Sequence, residues 1–283
     1  MRWTRRRFLG RAIAGTMAAA AGTFLYTWRF EPHWVEVVEQ PLPIKHLPAS
    51  LVGKRIVQLS DLHAGPVVDR QYLISSLESV AELKPDLIVI TGDLMTCNAD
   101  EEVDRTLDIL RALPPATWGR VAVMGNHDYG AGWLHPEAAN RLCDGLEALE
   151  IQPLRNQTAR FDSLQVAGID ELWANGRFQP ELALRDLDAA APVLALCHNP
   201  DAADLPVWGD YQGWILAGHT HGGQCKPPFF RPPLLPVSNK RYVAGAYDLG
   251  QGRQLYVNRG LGYLMRVRFN VRPEITLFTL EQA

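Results

Sequence analysis

Residues 56–63 read Ile56-Val57-Gln58-Leu59-Ser60-Asp61-Leu62-His63, a short and mostly apolar run that ends in a small residue and two side chains able to bind metal. A run this short, with β-branched members and no helical spacing, reads as a strand covered on both faces, as in a parallel sheet. The same grammar recurs four times. Leu87-Ile88-Val89-Ile90-Thr91 leads into Gly92-Asp93, and Val121-Ala122-Val123-Met124 into Gly125-Asn126-His127-Asp128. Val193-Leu194-Ala195-Leu196-Cys197 leads into His198-Asn199, and Trp214-Ile215-Leu216-Ala217 into Gly218-His219-Thr220-His221. Helical patterns fill 69–83, 100–113 and 136–150 around strands expected at 55–59, 87–91 and 120–124. This β-α-β-α-β alternation predicts an α/β domain with parallel pairing. Further strands are expected at 164–169, 193–197, 213–217, 254–258 and 275–279. Loops at the carboxyl ends of such strands gather on one rim, where ligands bind, so the five clusters are expected to meet.

The body is expected to run from about Leu51 to Ala283. Ahead of it, residues 31–50 carry Pro32, Pro41, Pro43 and Pro48 and read as an extended lead-in with one edge strand at 34–38. Charged residues at 21% and hydrophobic residues at 47% exclude a disordered chain and a multi-span membrane protein. The formal charge of −3 includes Arg2, Arg5, Arg6, Arg7 and Arg11; without these five the body carries about −8, and no basic stripe marks it as a nucleic-acid binder. Four cysteines, Cys97, Cys143, Cys197 and Cys225, lack a C-x-x-C spacing, so they form neither a zinc ribbon nor a thioredoxin motif. An oxidising compartment permits disulfides among them, and buried free thiols fit the sequence at least as well.

Residues 4–9, Thr4-Arg5-Arg6-Arg7-Phe8-Leu9, precede an uncharged stretch from Ala12 to Trp28. This start resembles a twin-arginine export signal, which implies the twin-arginine export machinery as a partner and an exported, periplasmic or envelope-side body. Residues 1–30 thus read as a signal. Left uncleaved, residues 12–28 are at the lower limit of length for a membrane anchor.

The strand-end inventory is Asp61, Asp93 and Asp128, Asn126, and five of the eight histidines: His63, His127, His198, His219 and His221. Taken singly, a histidine at a strand end or a Gly-Asp turn is an ordinary structural feature. Together, oxygen and imidazole ligands without thiolate suit Mn, Fe or Zn in an open site. The donors exceed what one ion needs, so two divalent metal ions sharing a carboxylate is the economical reading.

Asp-x-His, Gly-Asp, Gly-Asn-His-Asp, a lone His and Gly-His-x-His, in that order, resemble the calcineurin-like metallophosphoesterase family. Gly218 to Gln224, His198 to Asp201 and Arg272 to Thr276 resemble its exported YkuE/YaeI-type phosphodiesterase branch more closely. The resemblance implies a sandwich of two mixed β-sheets flanked by helices, layered α/β/β/α. It also implies that Asp61, His63 and His221 hold one metal, that Asn126, His198 and His219 hold the other, and that Asp93 bridges them. His127 would protonate the leaving oxygen. Many relatives place an Asp three residues after the bridging one to orient that histidine, and here Thr96 stands there. Asp128 reads as a structural residue.

The implied activity is metal-dependent hydrolysis of a phosphoester, a diester or pyrophosphate before a monoester, by water activated on the metals. Envelope phosphodiesters and phospholipid-type or lipid-linked substrates are the expected class. UDP-2,3-diacylglucosamine pyrophosphate hydrolysis in lipid A synthesis is the specific alternative, and an inactive exported metal-binding protein the non-enzymatic one. Lys226 to Leu235 sets apolar residues beside cations directly after the last motif. It reads either as a rim touching a membrane surface or as a packed loop. Trp118, Trp133, Trp173, Trp208 and Trp214 read as core or rim packing.

Overall fold

The computed structural model of the protein describes residues 5–96 and 101–283. Arg2 and Thr4 of the export-type start, Cys97, and Asp100 of the expected helix lie outside them. The chain opens with helix α1 (Arg5–Leu25), prolonged by π and 3-10 turns to His33. Then come strand β1 (Glu36–Ile44), β2 (Arg55–Leu59), α2 (Arg70–Ser79), β3 (Leu87–Thr91), α3 (Glu101–Leu110), β4 (Gly119–Val123), α4 (Pro136–Ala148) and β5 (Ile151–Pro153). The second half holds β6 (Gln157–Phe161), β7 (Leu164–Gly168), α5 (Pro180–Leu184), β8 (Val193–Leu196), β9 (Gly213–Ala217), β10 (Gly245–Gly250), β11 (Arg253–Val257) and β12 (Glu274–Gln282).

These strands form two six-stranded sheets, ordered β1-β12-β2-β3-β4-β5 and β10-β11-β9-β8-β7-β6. Strands β2 to β5 run parallel, while β12 enters antiparallel to β2 and carries β1 parallel on its other side. In the second sheet β11, β9, β8 and β7 are parallel, and β10 and β6 close the edges antiparallel. Both sheets are therefore mixed, with parallel centres.

Alternation along each strand explains the layering. Ile56, Leu87, Val89, Val121 and Val123 meet Val166, Leu194, Leu196 and Leu216 between the sheets. Their neighbours Val57, Leu59, Ile88, Ile90 and Ala122 turn outward against Leu73, Leu77, Val103, Leu142 and Leu146 of α2, α3 and α4. On the far side of the second sheet Ala195, Ile215, Leu255 and Val257 pack with Ala183 and Trp208. Each fully buried Leu, Ile or Val contributes roughly 1.5–3 kcal/mol, so a central strand that fills two cores is doubly fixed. The result is the expected α/β sandwich.

One polar side chain ties the sheets together beneath the rim. The fully buried Gln58 amide donates to Thr91 Oγ1 and to the Ala217 carbonyl, each at 2.9 Å. It thereby sets the height of β3 in one sheet against β9 in the other.

Several elements differ from expectation. β1 covers 36–44 and not 34–38, although it contains Pro41 and Pro43; its one strand neighbour among the described residues is β12, and an edge strand tolerates missing N–H groups on its open side. α2 gives way to a 3-10 turn after Ser79, which ends at Lys84 with φ 48°. β5, β6, β10 and α5 lack the long apolar runs that betray the central strands. Among the described residues Cys143, Cys197 and Cys225 are free thiols.

Candidate metal centre

Asp61 and His63 follow β2, Asp93 follows β3, and Asn126 and His127 follow β4, so the first sheet delivers five of the residues. The second sheet delivers His198 after β8 and His219 and His221 after β9. All stand at carboxyl ends of parallel strands, on the rim that spans both sheets. Their ligand atoms gather into three groups: Asp61 with His63 and His221, Asp93 with His198 and His219, and His63 with Asp93 and His127. His63 and Asp93 link the groups, and the seven residues read from sequence as ligands are all buried.

The backbone is bent to achieve this. Asp61, His63, Asp93, His219 and His221 have φ between 46° and 70°, a left-handed conformation that costs a non-glycine residue on the order of 1–3 kcal/mol. Strain of this kind persists where the surroundings enforce it, and here glycines leave room. A Cβ on Gly125 would overlap the Asp93 carboxylate, and one on Gly218 would overlap Ser60 and the Asp61 carboxylate.

Asp93 Oδ2 lies 3.1 Å from His198 Nε2 and 3.5 Å from His63 Nε2, between the two clusters. Its other oxygen accepts from the His127 amide at 2.9 Å. Asp61 Oδ1 lies 3.3 Å from His221 Nε2 and 4.0 Å from His63 Nε2, and both its oxygens accept from the His219 amide at 3.1 Å.

The donor set fits divalent cations. His198 donates its Nδ1 proton to the Thr91 carbonyl at 2.8 Å and His219 its Nε2 proton to the Pro236 carbonyl at 2.8 Å. The remaining nitrogens, His198 Nε2 and His219 Nδ1, then face each other at 3.1 Å beside Asp93. One proton is left to serve three lone-pair atoms, whereas one cation satisfies all three. In the other cluster His63 Nε2 and His221 Nε2 approach to 3.0 Å; the Asn126 carbonyl oxygen, which the family resemblance puts on the His198 side, is buried without a partner among the described residues.

The electrostatics agree. Burial pushes the imidazoles of His63 and His219 down to about 3 and that of His221 well below the ordinary histidine value, which keeps these rings neutral and their lone pairs available. Burial also raises the Asp61 carboxyl to about 6. At His198 burial opposes the charged ring, but the Asp93 carboxylate outweighs it and holds the value well above the ordinary one. For Asp93 burial opposes the anion, and the His198 charge and hydrogen bond outweigh it. In the metal-free protein these two form a buried ion pair in the place a cation would take.

The His127 ring, half-buried, meets His63 edge to face with centroids 4.9 Å apart. Thr96 does not orient it: the Thr96 hydroxyl turns to the His63 carbonyl at 3.4 Å. Asp128 accepts from the amides of Met95 at 3.0 Å and Gly125 at 2.8 Å, a clamp between two ligand loops.

Two features escape a strand-by-strand reading. After β7, Ile169-Asp170-Glu171 repeats the apolar-then-acid pattern; Asp170 accepts from Tyr129 at 2.5 Å and Arg155 at 3.0 Å, while Glu171 accepts from the Trp173 amide at 3.0 Å. This turn sets the Trp173 ring edge-on to His219, centroids 4.5 Å apart, with Trp133 tilted against it at 4.9 Å. The second is Arg268, fully buried, whose guanidinium donates to the carbonyls of Arg259, Gly260 and Gly262. The Gly262 amide in turn donates to the Asp61 carbonyl at 2.7 Å. No local pattern announces a carbonyl acceptor.

Residues 54–223 match the family model described as calcineurin-like phosphoesterase. The chain is 34% identical to the metallophosphoesterase YkuE of Bacillus subtilis over 98% of both chains. It is 34% identical to the phosphodiesterase YaeI of Escherichia coli, over 98% of this chain and 99% of the relative. The UDP-2,3-diacylglucosamine pyrophosphatase LpxG of Chlamydia trachomatis is 28% identical, over 94% of this chain and 95% of its own.

Proposed function

The chain belongs to the calcineurin-like phosphoesterase family and is a hydrolase of phosphoester bonds; from that premise we propose that it is a dinuclear, metal-dependent phosphodiesterase of the cell envelope. The observation that carries this reading is the position of Asp93 Oδ2 between His63 and His198. Asp61, His63 and His221 would hold one ion and Asn126, His198 and His219 the other, with Asp93 shared; Mn, Fe and Zn all suit the donors. Bound there, two ions supply a water of near-neutral pKa and countercharge for the phosphoryl oxygens.

The chain's own side chains do the rest. The Asn126 amide and the His127 ring line the space where charge develops on the phosphoryl group, and the His127 ring N–H delivers a proton to the departing oxygen. Trp133 and Trp173 wall off the His219 side from bulk water. Relatives named phosphodiesterase and pyrophosphatase support a phosphate with two substituents over a simple monoester. The apolar N-terminal helix and the twin-arginine start support an exported, envelope-side body, and with them a lipid-linked or phospholipid-type substrate.

The test is a turnover panel on protein stripped of metal and reloaded with Mn, Zn or Fe, using an aryl phosphodiester, the matching monoester and a pyrophosphate-linked nucleotide lipid. Metal-dependent cleavage of the diester ahead of the monoester is the expected result. Preference for the nucleotide lipid would replace the diester reading with a lipid A pyrophosphatase. Two bound ions with no turnover of any of the three would end both.

A further inference from the structure

Residues Phe8–His33 form one helical segment long and apolar enough to cross a membrane, and the body covers none of its apolar span. Its exit, however, is fastened to the body. The Thr27 carbonyl accepts from the Arg268 amide at 3.0 Å, the buried Glu31 carboxylate accepts from the Val271 amide at 2.6 Å, and Arg272 donates to the carbonyls of Trp34 and Val35 at 3.0 and 2.9 Å. The Arg266 guanidinium lies over the Trp28 ring, 5.3 Å from its centroid. A helix held this way in a bilayer fixes which face of the body meets the lipid.

That face holds two loops. Gln224 donates from its side chain to the carbonyls of Met265 and Val267 at 3.3 and 3.2 Å, and the Lys226 amide donates to the Phe269 carbonyl at 2.8 Å. The loop 226–235 is thereby joined to the loop 263–269 that grips the helix exit. The helix exit leaves Trp28 and Phe30 exposed and the two loops leave Phe229, Phe230, Leu264 and Met265 exposed, with the exposed cations Arg29, Lys226 and Arg231 in the same segments. Large apolar side chains interleaved with cations match the interface of a bilayer, where rings sit at headgroup depth and cations meet anionic lipid.

We infer that this rim is a lipid-docking surface that seats the metal site at an anionic bilayer. The rim is coupled to the site through short paths. Gln224 donates its amide to the His221 carbonyl at 3.0 Å, and Arg268 braces the 259–262 turn that bonds Ser60 and Asp61. A substrate anchored by acyl chains presents its phosphate at headgroup depth, beside these loops. The inference deepens the phosphodiesterase reading and rests on it only for the identity of that substrate.

Hydrogen exchange on the full chain in nanodiscs containing phosphatidylglycerol tests the surface without reference to turnover. Amides of 229–231, 234–235 and 263–267 are expected to exchange about tenfold more slowly in the wild type than in a Phe229→Ser, Phe230→Ser, Met265→Ser variant, with α1 equally protected in both. Equal exchange in the two proteins, as fast as in the exposed turn at 251–252, would overturn the inference. The same variant is expected to keep wild-type turnover of a soluble aryl phosphodiester and to lose about tenfold on a phosphodiester lipid in vesicles. Equal losses on both substrates would place these residues inside the site and also overturn it. Slowed exchange in a wild type that cleaves neither substrate would support the docking surface and sink the phosphodiesterase reading instead.

Discussion

The two halves of the proposed centre are built alike and finished differently. In the half around His198 and His219, each ring gives its outward N–H to a backbone carbonyl, Thr91 or Pro236, and so has one tautomer and one orientation. In the half around His63 and His221, the outward Nδ1 atoms are buried with no partner among the described residues. The first arrangement is set before any ion arrives. The second leaves either an unmet N–H or an unmet lone pair in each ring, a cost of about 1–3 kcal/mol per group. Four imidazoles of similar burial therefore fall into two pairs that differ in readiness by what their far sides touch, and an ion entering the His63 half must itself fix the ring protons that backbone carbonyls already fix in the other.

The largest effect should come from the residue the halves share. Asp93→Asn removes the anion that lies against both His63 and His198, and turnover is expected to fall by about a thousandfold or more with loss of two-ion stoichiometry. Steady-state rates with metal analysis of the same sample check this. Because the variant also removes the partner of the buried His198 ring, the thermal midpoint of the metal-free protein should fall, so rates and metal content are compared at a temperature where both proteins are folded. A variant that retained both ions and most of its rate would show that the two halves work independently.

Metal titration of the stripped protein sharpens the comparison itself. Histidine ligands whose far nitrogen is hydrogen-bonded typically bind metal about 10–100-fold more tightly than those without such support. Two calorimetric steps separated by that ratio are expected, with His198→Ala abolishing the tighter one and His63→Ala the weaker. A single step of two equivalent sites would break the distinction.

Much of this was legible from the chain alone, and the residues show why. Strands β2, β3, β4, β8 and β9 are buried on both faces, so each is a near-continuous apolar run whose end is unmistakable, and the ligand-competent residues stand at those ends. Edge elements carry no such signal: β6 buries only Ala159 among its five residues, and β10 is bounded by glycines. The partition into halves came from the family resemblance and not from spacing, because His63 and His221 are 158 residues apart in sequence and meet only when the two sheets stack. Supports supplied by main-chain carbonyls, Thr91 and Pro236 above all, leave no trace in residue identity. Nor did the lead-in at 31–50 reveal that Glu31 reaches across to the Val271 amide.

Acidification should separate the halves more gently. Burial lifts Asp61 to about 6, so below that value a proton occupies a ligand of the His63 half, and ion binding there should weaken by about tenfold per pH unit as pH falls. Above it that half should be nearly independent of pH, since His63 and His221 are already neutral. The His198 half behaves differently because Asp93 keeps the His198 ring protonated well beyond the ordinary histidine range. An entering ion must displace that proton, so affinity there should still be rising with pH where the other half has levelled. Calorimetry at several pH values in buffers of different ionisation enthalpy counts the protons released, and equal release by the two steps would contradict the assignment.

The smallest effect tests the cover over the better-supported half. Trp173 stands edge-on to His219 and is backed by Trp133, and its amide is held by Glu171. It adds no ligand; its edge covers one side of the His219 ring. Trp173→Ala admits water and loosens the ring, so the tighter ion is expected to bind about threefold more weakly while the weaker step is unchanged. Trp173→Phe retains an aromatic edge toward His219 and should recover most of the loss. If both variants shifted the two steps equally, the ring would be acting on the fold as a whole; if neither shifted the tighter step, the carbonyls of Thr91 and Pro236 would account for the difference between the halves without help from the rim.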